Sequence, residues 1–289
     1  MKKLTYVLAL GLALSSLALA RPVFELVMEA DLETAIEQLS EALTPQGFEI
    51  VRQLDIGESI RGRGTEAGAN FMPMKILILS TDESMLSAVD EDPRLAVFLP
   101  LSLAIYEAET GQTSLAVVDH SRLMSFFNLS SEKEAALNES FEKIYSAMSE
   151  LGKVRRAPGG LTTIPPYAVA PVGEASVEDA MFLFSSSYQS QNMNQVGDMG
   201  LGDVMQEWFC NTGYAEAIFS IEPALATGAP CRIFSYEQDG QVYIGAANSE
   251  YARAAFPKTN FTEEARVAFD AISELNRSVF VEMGTEFPY

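Results

Sequence analysis

One segment of the chain occurs twice, and its two copies begin at Pro100 and Pro230, 130 residues apart. Each copy contains two apolar runs joined by a short turn around a glycine, which is Gly111 in the first copy and Gly240 in the second. Apolar runs split by such a turn are typical of a β-hairpin. We therefore expect the chain to fold as two copies of one unit.

The first helix of each half supports the duplication. An apolar stripe with helical spacing is formed by Leu32, Ala35, Ile36, Leu39 and Leu43, and the positions 145 residues later are Val177, Ala180, Met181, Phe184 and Tyr188. Asp31 and Ser176 stand where an N-cap belongs. Between Gly57 and Pro100 the first half has 15 residues more than the second, so the copies are not interchangeable.

The chain begins with a segment that has the features of a bacterial secretory signal peptide. Residues 1–20 combine two lysines, an apolar run and a small-x-small end. We therefore predict a periplasmic or secreted protein, with an uncleaved membrane anchor as the alternative. No later stretch is long and apolar enough to span a membrane, so no span is expected after signal cleavage.

The remaining chain divides into two α+β domains. We predict a first repeat domain over residues 21–152, a linker rich in proline and glycine over 153–166, and a second, divergent repeat domain over 167–289. Each domain is expected to be a small, largely antiparallel sheet with helices packed on one face. The apolar run 75–79 predicts a central strand, and residues 216–221 are its predicted counterpart.

The chain is strongly acidic, with a net charge of −21 that becomes more negative when the two signal-peptide lysines are removed. Such a surface argues against nucleic acid or anionic lipid as partners. It favours solubility or a cationic partner.

Two cysteines and two arginines are the candidate site residues. Cys210 and Cys231 predict a disulfide in an exported protein, worth roughly 3 kcal/mol by the chain-entropy estimate. Two separate buried thiols are the alternative. Arg61 and Arg63 lie in a glycine-rich stretch and are candidates for binding an anion. Their alternative role is to neutralise an acidic surface locally.

Other chemistry has little support in the sequence, which predicts no catalytic residues, no metal site and no cofactor. The lone histidine, His120, follows a predicted strand and is expected to be a surface or capping group. Residues 90–92 are acidic but lack the spacing of a calcium loop, so we interpret them as a solvated helix end. Three methionines, Met193, Met199 and Met205, could hold copper(I), although methionine more often fills a core.

A few local motifs resemble a known family. Gly47-Phe48 follows the first helix, Asp92-Pro93 comes next, and a proline then precedes a strand that ends in Tyr-Glu. Together these resemble the bacterial and archaeal family catalogued as domain of unknown function 302. The resemblance covers residues 31–124 of the first half. The second half keeps the Pro230-Cys231 hairpin, lacks the Asp-Pro segment and resembles a divergent member.

The resemblance implies a compact α+β fold and no particular activity, so function has to be inferred from the rest of the chain. We predict an exported, two-domain protein without catalysis of its own, which binds a small molecule or a protein partner or acts as an accessory module. A cleft between the two domains is the expected binding place. The alternatives are a periplasmic thiol-redox or metal-handling protein, and an enzyme that uses Arg61 and Arg63.

Overall fold

The computed structural model describes residues 23–156, 162–173 and 175–288 of the chain. The predicted signal peptide, residues 1–20, lies outside the described residues, as does part of the predicted linker, residues 157–161. Within the described ranges the chain forms one β-sheet from each half, with helices packed against both sheets.

The first half forms a mixed layer of strands and helices. In chain order its elements are β1 (Val23–Met28), α1 (Leu32–Leu43), β2 (Ile50–Asp55), α2 (Ile56–Arg61), α3 (Glu66–Ala69), β3 (Met74–Leu79), α4 (Glu83–Glu91), β4 (Ser102–Glu109), β5 (Gln112–Val118), α5 (Ser131–Ser149) and β6 (Lys153–Arg156). The strands are ordered β2-β3-β4-β5-β1-β6, and neighbouring strands are antiparallel. Strand β3 is an interior strand, as its apolar sequence predicted.

The second half repeats this plan. Its elements are β7 (Tyr167–Pro171), α6 (Val177–Ser190), β8 (Asn194–Leu201), β9 (Val204–Cys210), α7 (Thr212–Phe219), β10 (Cys231–Gln238), β11 (Gln241–Ala247), α8 (Ser249–Ala255) and α9 (Glu263–Glu282). The strands are ordered β7-β11-β10-β9-β8. The first sheet, counted from β1, has the matching order β1-β5-β4-β3-β2. The predicted α+β class and the duplication are therefore confirmed.

The first helix of each half forms as its apolar stripe predicted. All five stripe residues of α1 are buried, and the Asp31 carboxylate accepts a hydrogen bond from the Thr34 backbone N–H at 2.9 Å. In α6 the Ser176 hydroxyl accepts from the Asp179 N–H at 3.0 Å. These caps satisfy backbone donors that the first turn of a helix cannot pair.

The predicted strand at residues 216–221 is wrong, because most of this segment belongs to helix α7. The Asn211 side chain caps the helix by accepting hydrogen bonds from the Gly213 and Tyr214 N–H groups at 2.9 and 3.2 Å. The true counterpart of β3 is β9, which pairs with β10 as β3 pairs with β4. A short apolar run fits a buried helix and a buried strand equally well, so the spacing of its apolar residues could not distinguish the two.

Correct alignment of the halves also changes the Asp-Pro comparison. Asp92-Pro93 of the first half corresponds to Glu222-Pro223 of the second, and both pairs open a 3-10 turn. The second half therefore keeps an acidic residue before the proline. The 15 extra residues of the first half lie between β2 and β3, where α2 and α3 replace the tight turn that joins β8 to β9.

The first four residues of the predicted linker form regular structure. Residues Lys153–Arg156 form strand β6, which pairs with β1 at the edge of the first sheet. Without this strand, β1 would present unpaired N–H and C=O groups along an open edge.

Helices of each half pack on one face of its sheet, as predicted, and the other half of the chain covers the opposite face. Helices α1, α4 and α5 cover one face of the first sheet, and the opposite face packs against α7, α8 and α9 of the second half. The second sheet is covered by α6 and α9 on one side and by the first half on the other. The two halves therefore share their hydrophobic cores.

Candidate functional site

The two halves meet through a pair of 3-10 turns, each of which packs on the sheet of the other half. The turn Pro93–Val97 lies against β10 and β11, and the turn Pro223–Gly228 lies against β4 and β5. Each turn is followed by a cis proline, Pro100 or Pro230. Because the turns occupy equivalent positions, an approximate two-fold axis passes through the junction.

Gln206 of β9 fastens the first-half turn to the second sheet. Its side-chain Nε2 donates hydrogen bonds to the carbonyls of Ala96 and Leu99, the second at 2.9 Å. The indole N–H of Trp208 donates to the Gln206 carbonyl oxygen. Both the NH2 group and the oxygen of the Gln206 amide are thus hydrogen-bonded to buried groups. These bonds hold the first-half turn in one position on the second sheet.

Arg232 of β10 makes the second polar attachment across the junction. Its guanidinium donates to the carbonyls of Val97 and Pro100 at 2.9 and 2.7 Å, and to the Ser102 hydroxyl at 2.6 Å. Arg232 is 2% exposed, and its Nε has no hydrogen-bond partner among the described residues. Burial lowers the pKa of Arg232 to about 9, so the side chain is charged at neutral pH. Arg232 and Ser102 occupy equivalent positions of the two halves.

Beside these attachments lies an apolar cavity of about 130 Å³, which we call the junction cavity. Its walls come from the 3-10 turns, the ends of β1 and β5, and helices α7, α8 and α9. The large apolar side chains that line it include Val97, Phe98, Phe219, Leu225, Phe256 and Phe269. This is the cleft between the two halves that the duplication predicted.

The polar groups around the junction cavity bond to the protein itself. The Thr227 hydroxyl donates to the Ala224 carbonyl at 2.9 Å, and the Asn248 amide donates to the Pro165 carbonyl at 2.9 Å. The Ser249 hydroxyl lies 2.7 Å from the hydroxyl of Ser273. These groups are already paired, so the cavity is suited to an apolar ligand rather than to a charged one.

The predicted anion-binding arginines are engaged in structural contacts. Arg61 donates to the carbonyls of Phe71 and Met72 at 3.1 and 3.3 Å. Arg63 forms an ion pair with Glu216 of α7, whose carboxylate also accepts from the Thr65 hydroxyl at 3.1 Å. The extra segment of the first half, which carries Arg63, thus contacts the second half. An anion could bind Arg61 or Arg63 only by displacing these carbonyl and carboxylate partners.

The two cysteines are free thiols in the structure. They lie on the neighbouring strands β9 and β10, but Cys231 is paired with Phe209 rather than with Cys210. The register therefore does not place the two cysteines directly opposite each other, although both line one small pocket at the strand ends. A bond between them would require the strand ends to move. Burial raises the pKa of Cys210 to about 12 and that of Cys231 to about 11, which disfavours the reactive thiolates.

His120 is buried, which corrects the prediction of a surface or capping group. Its ring stacks on Phe141 with the centroids 4.1 Å apart, and its Nδ1 lies 2.8 Å from the Tyr145 hydroxyl. That hydroxyl donates to the Val118 carbonyl at 2.8 Å. Burial lowers the pKa of His120, so the ring is neutral at neutral pH and serves the core of the first half.

The acidic residues 90–92 are not simply a solvated helix end, because Asp92 is buried. In the described ranges, no three or more histidine, cysteine, aspartate or glutamate side chains group as a metal ion would require. Met193 packs in the core of the second half, whereas Met205 is more than one-third exposed. No helix in the described part of the chain has the length and hydrophobicity required to span a bilayer.

The residues that build the junction were not identified from the sequence. Arg232 and Gln206 are both polar residues at buried positions of their strands, β10 and β9. A polar residue at an inward position of a strand indicates a buried partner. The partners here lie more than 100 residues away in the other half, so local patterns could not name them.

Comparisons with known proteins identify one family. Residues 24–151 and 166–279 match the profile of a family described as "Domain of unknown function DUF302". A similar solved structure is the uncharacterized conserved protein DUF302 from Bacillus stearothermophilus, which is 22% identical, with a TM-score of 0.40, over 46% of this chain and 99% of that chain. No protein of curated function matches the chain significantly.

Proposed function

The chain belongs to the DUF302 family as two tandem members, and from this premise we propose that it is a non-catalytic module that binds a small apolar molecule between its halves. The observation that carries the proposal is the junction cavity, whose walls come from both copies of the domain. A cleft formed where two similar units meet is a common place for a ligand.

The size of the junction cavity favours a compact ligand. Its volume of about 130 Å³ is close to that of a roughly 150 Å³ apolar cavity that binds benzene in another protein. Aromatic side chains from both halves, including Phe98 and Phe256, contribute to its walls. A ligand with one aromatic ring or a short branched hydrocarbon group would match these walls in size and polarity.

We expect toluene and indole to bind the full mature chain and to raise its melting temperature. Ligands that bind only the folded state stabilise it by mass action, by about 2.7 kcal/mol at a hundredfold excess over the dissociation constant. Substitution of Ala252, which lines the cavity from α8, by leucine should fill the space and abolish the shift. Calorimetric titration of the same proteins measures the binding directly.

The matched control is Ala135→Leu, which adds the same side chain to an exposed position of α5. This variant should bind both probes as the original chain does. If neither probe binds the original chain, or if both still bind the Ala252→Leu variant, the junction cavity is not the binding site.

The alternative function, thiol-redox or metal handling, has weaker support. Redox work favours thiols with a lowered pKa and a partner within bonding reach. Cys210 and Cys231 have raised pKa values and are not paired directly across their two strands. Metal handling would rest on the methionines, which lie in unlike surroundings.

We also propose that the protein is exported, because residues 1–20 have the pattern of a cleavable signal. The intact mass of the exported protein should correspond to a chain that begins at Arg21. When this protein is denatured without reductant and alkylated, we expect both cysteines to be modified, since they are free thiols that are not paired across their strands. Modification only after reduction would instead reveal a disulfide between Cys210 and Cys231.

A further inference from the structure

A second, polar pocket of about 340 Å³ opens between the end of α4 and the second sheet. We call it the Arg94 pocket; its polar lining includes Glu91, Arg94 and Asn128 from the first half and Tyr236, Gln238 and Tyr243 from the second. Like the junction cavity, it is built by both halves. Its lining, however, consists mainly of hydrogen-bonding side chains, three of which are tyrosines.

A chain of aromatic rings lies between the two cavities. Phe98 lines the junction cavity, and its ring contacts Phe127 at 6.1 Å between centroids. Phe127 in turn contacts Tyr167, which lines the Arg94 pocket, at 5.6 Å. The two cavities are separate and share no lining residue in the described part of the chain. Binding at the Arg94 pocket therefore does not depend on an apolar ligand in the junction cavity.

Arg94 is held rigidly at the Arg94 pocket. Its Nε donates to the Asp92 carboxylate at 2.7 Å, its Nη2 donates to the other oxygen of that carboxylate, and its Nη1 donates to the Tyr167 hydroxyl at 2.8 Å. Asp92 is 3% exposed and also accepts from the Asn128 backbone N–H at 2.8 Å. The positive charge of Arg94 is thus balanced by a fixed carboxylate, while part of its guanidinium still borders the pocket.

Several polar groups of the Arg94 pocket are left for a ligand. Among the described residues, the hydroxyls of Tyr236 and Tyr243 and the side-chain amide of Gln238 have no hydrogen-bond partner. The Tyr236 and Tyr243 rings stack with their centroids 5.2 Å apart, which fixes the position of both hydroxyls. Each hydroxyl and the amide can both donate and accept a hydrogen bond.

At the equivalent position the tyrosine hydroxyl is already paired. Tyr106 corresponds to Tyr236, but its hydroxyl donates a hydrogen bond to the Glu25 carboxylate. Ala224 stands where the other side has Arg94. The side that carries Arg94 thus differs from its counterpart, because the hydroxyl of Tyr236 is not taken up by a carboxylate of the described residues as that of Tyr106 is.

From this arrangement we propose that the Arg94 pocket binds a neutral, polyhydroxylated ligand of the saccharide class. An anion would find the Arg94 charge already balanced by Asp92 and would meet Glu91 at the rim. A cation would find the Asp92 charge already balanced by Arg94, and the Glu91 carboxylate already accepts hydrogen bonds from Ser130. A sugar needs many groups that both donate and accept, next to flat aromatic surfaces, and the Arg94 pocket supplies both without net positive charge.

The test is ligand-observed NMR and calorimetry on the full mature chain with glucose, galactose, mannose, N-acetylglucosamine, maltose and cellobiose. Sulfate and tetramethylammonium serve as anionic and cationic probes. We expect binding of at least one of these saccharides and of neither ion. The double variant Tyr236→Phe/Tyr243→Phe keeps both rings and removes two hydrogen bonds, so binding should weaken by about tenfold or more.

Tyr214→Phe is the matched control, because it removes a tyrosine hydroxyl from α7, outside the Arg94 pocket. It should leave saccharide binding unchanged, as should Ala252→Leu. Should the double variant fail to fold, Gln238→Ala at an exposed position tests the same pocket and should also weaken binding. No saccharide binding, binding of an ion instead, or undiminished binding by the pocket variants overturns the proposal.

Discussion

Replacement of Arg232 by alanine is expected to lower the free energy of unfolding by about 3–5 kcal/mol. The guanidinium is the donor for two backbone carbonyls and the Ser102 hydroxyl, all buried at the junction. Alanine would leave these acceptors without a partner and would open a cavity of nearly the whole side chain. Relief of the unpartnered Nε and of the buried charge offsets only part of this loss. Urea denaturation monitored by tryptophan fluorescence measures the change, because Trp208 lies beside the junction.

Two further variants show whether the loss comes from the hydrogen bonds. Arg232→Met keeps most of the volume, so its loss should be smaller than that of alanine by the cavity contribution. Arg266→Ala, which removes a half-exposed arginine from α9, should change stability by less than about 0.5 kcal/mol. If Arg232→Ala were as mild as Arg266→Ala, the junction would not depend on this side chain.

Replacement of Asp92 by alanine should have an effect of similar size, about 3–5 kcal/mol. The buried carboxylate accepts from the Arg94 guanidinium, from the Arg94 N–H at 3.1 Å and from the Asn128 N–H at 2.8 Å. Its loss would leave a partly buried positive charge unpaired and two backbone donors unsatisfied. The same variant should abolish saccharide binding, because Arg94 would no longer be held in place. Denaturation and calorimetric titration measure the two effects separately.

The duplication supplies the control for Asp92. Glu222 occupies the equivalent position, and its carboxylate accepts a hydrogen bond from the Thr259 hydroxyl at 3.3 Å. Burial raises the pKa of Glu222, so its charged form is held less favourably than in water. Glu222→Gln should therefore change stability by no more than about 1 kcal/mol. A loss as large as that from Asp92→Ala would mean that Glu222 and Asp92 contribute equally to stability, which would contradict the prediction.

The parts of the fold that follow local rules were predictable from the sequence. The α1 stripe has five apolar residues at helical spacing behind an aspartate cap, and it forms as predicted. The two hairpins form because each pairs apolar runs across a glycine turn. Such features need only the period of the side chains and the conformation of one or two backbone positions.

The parts that depend on contacts between distant segments of the chain were not predictable. Residues 216–221 read equally well as strand or helix until the Asn211 cap and the packing of α7 on α9 decide. His120 is buried because Phe141 and Tyr145, on a helix that comes later in the chain, cover its ring. The duplication predicted a cleft between the halves, but the side chains that line the two cavities come from both copies, and local sequence patterns did not identify them.

The contact between Ser102 and Arg232 shows what fusion into a single polypeptide makes possible. In a symmetric pair of identical subunits, a residue beside the axis faces its own copy. Two arginines placed there would repel each other in a dry environment. Because one gene now encodes both partners, a mutation can alter one member of such a pair and leave its mirror image as it was. Each half can therefore acquire residues that fit only the other half, because the two halves always occur together in one chain.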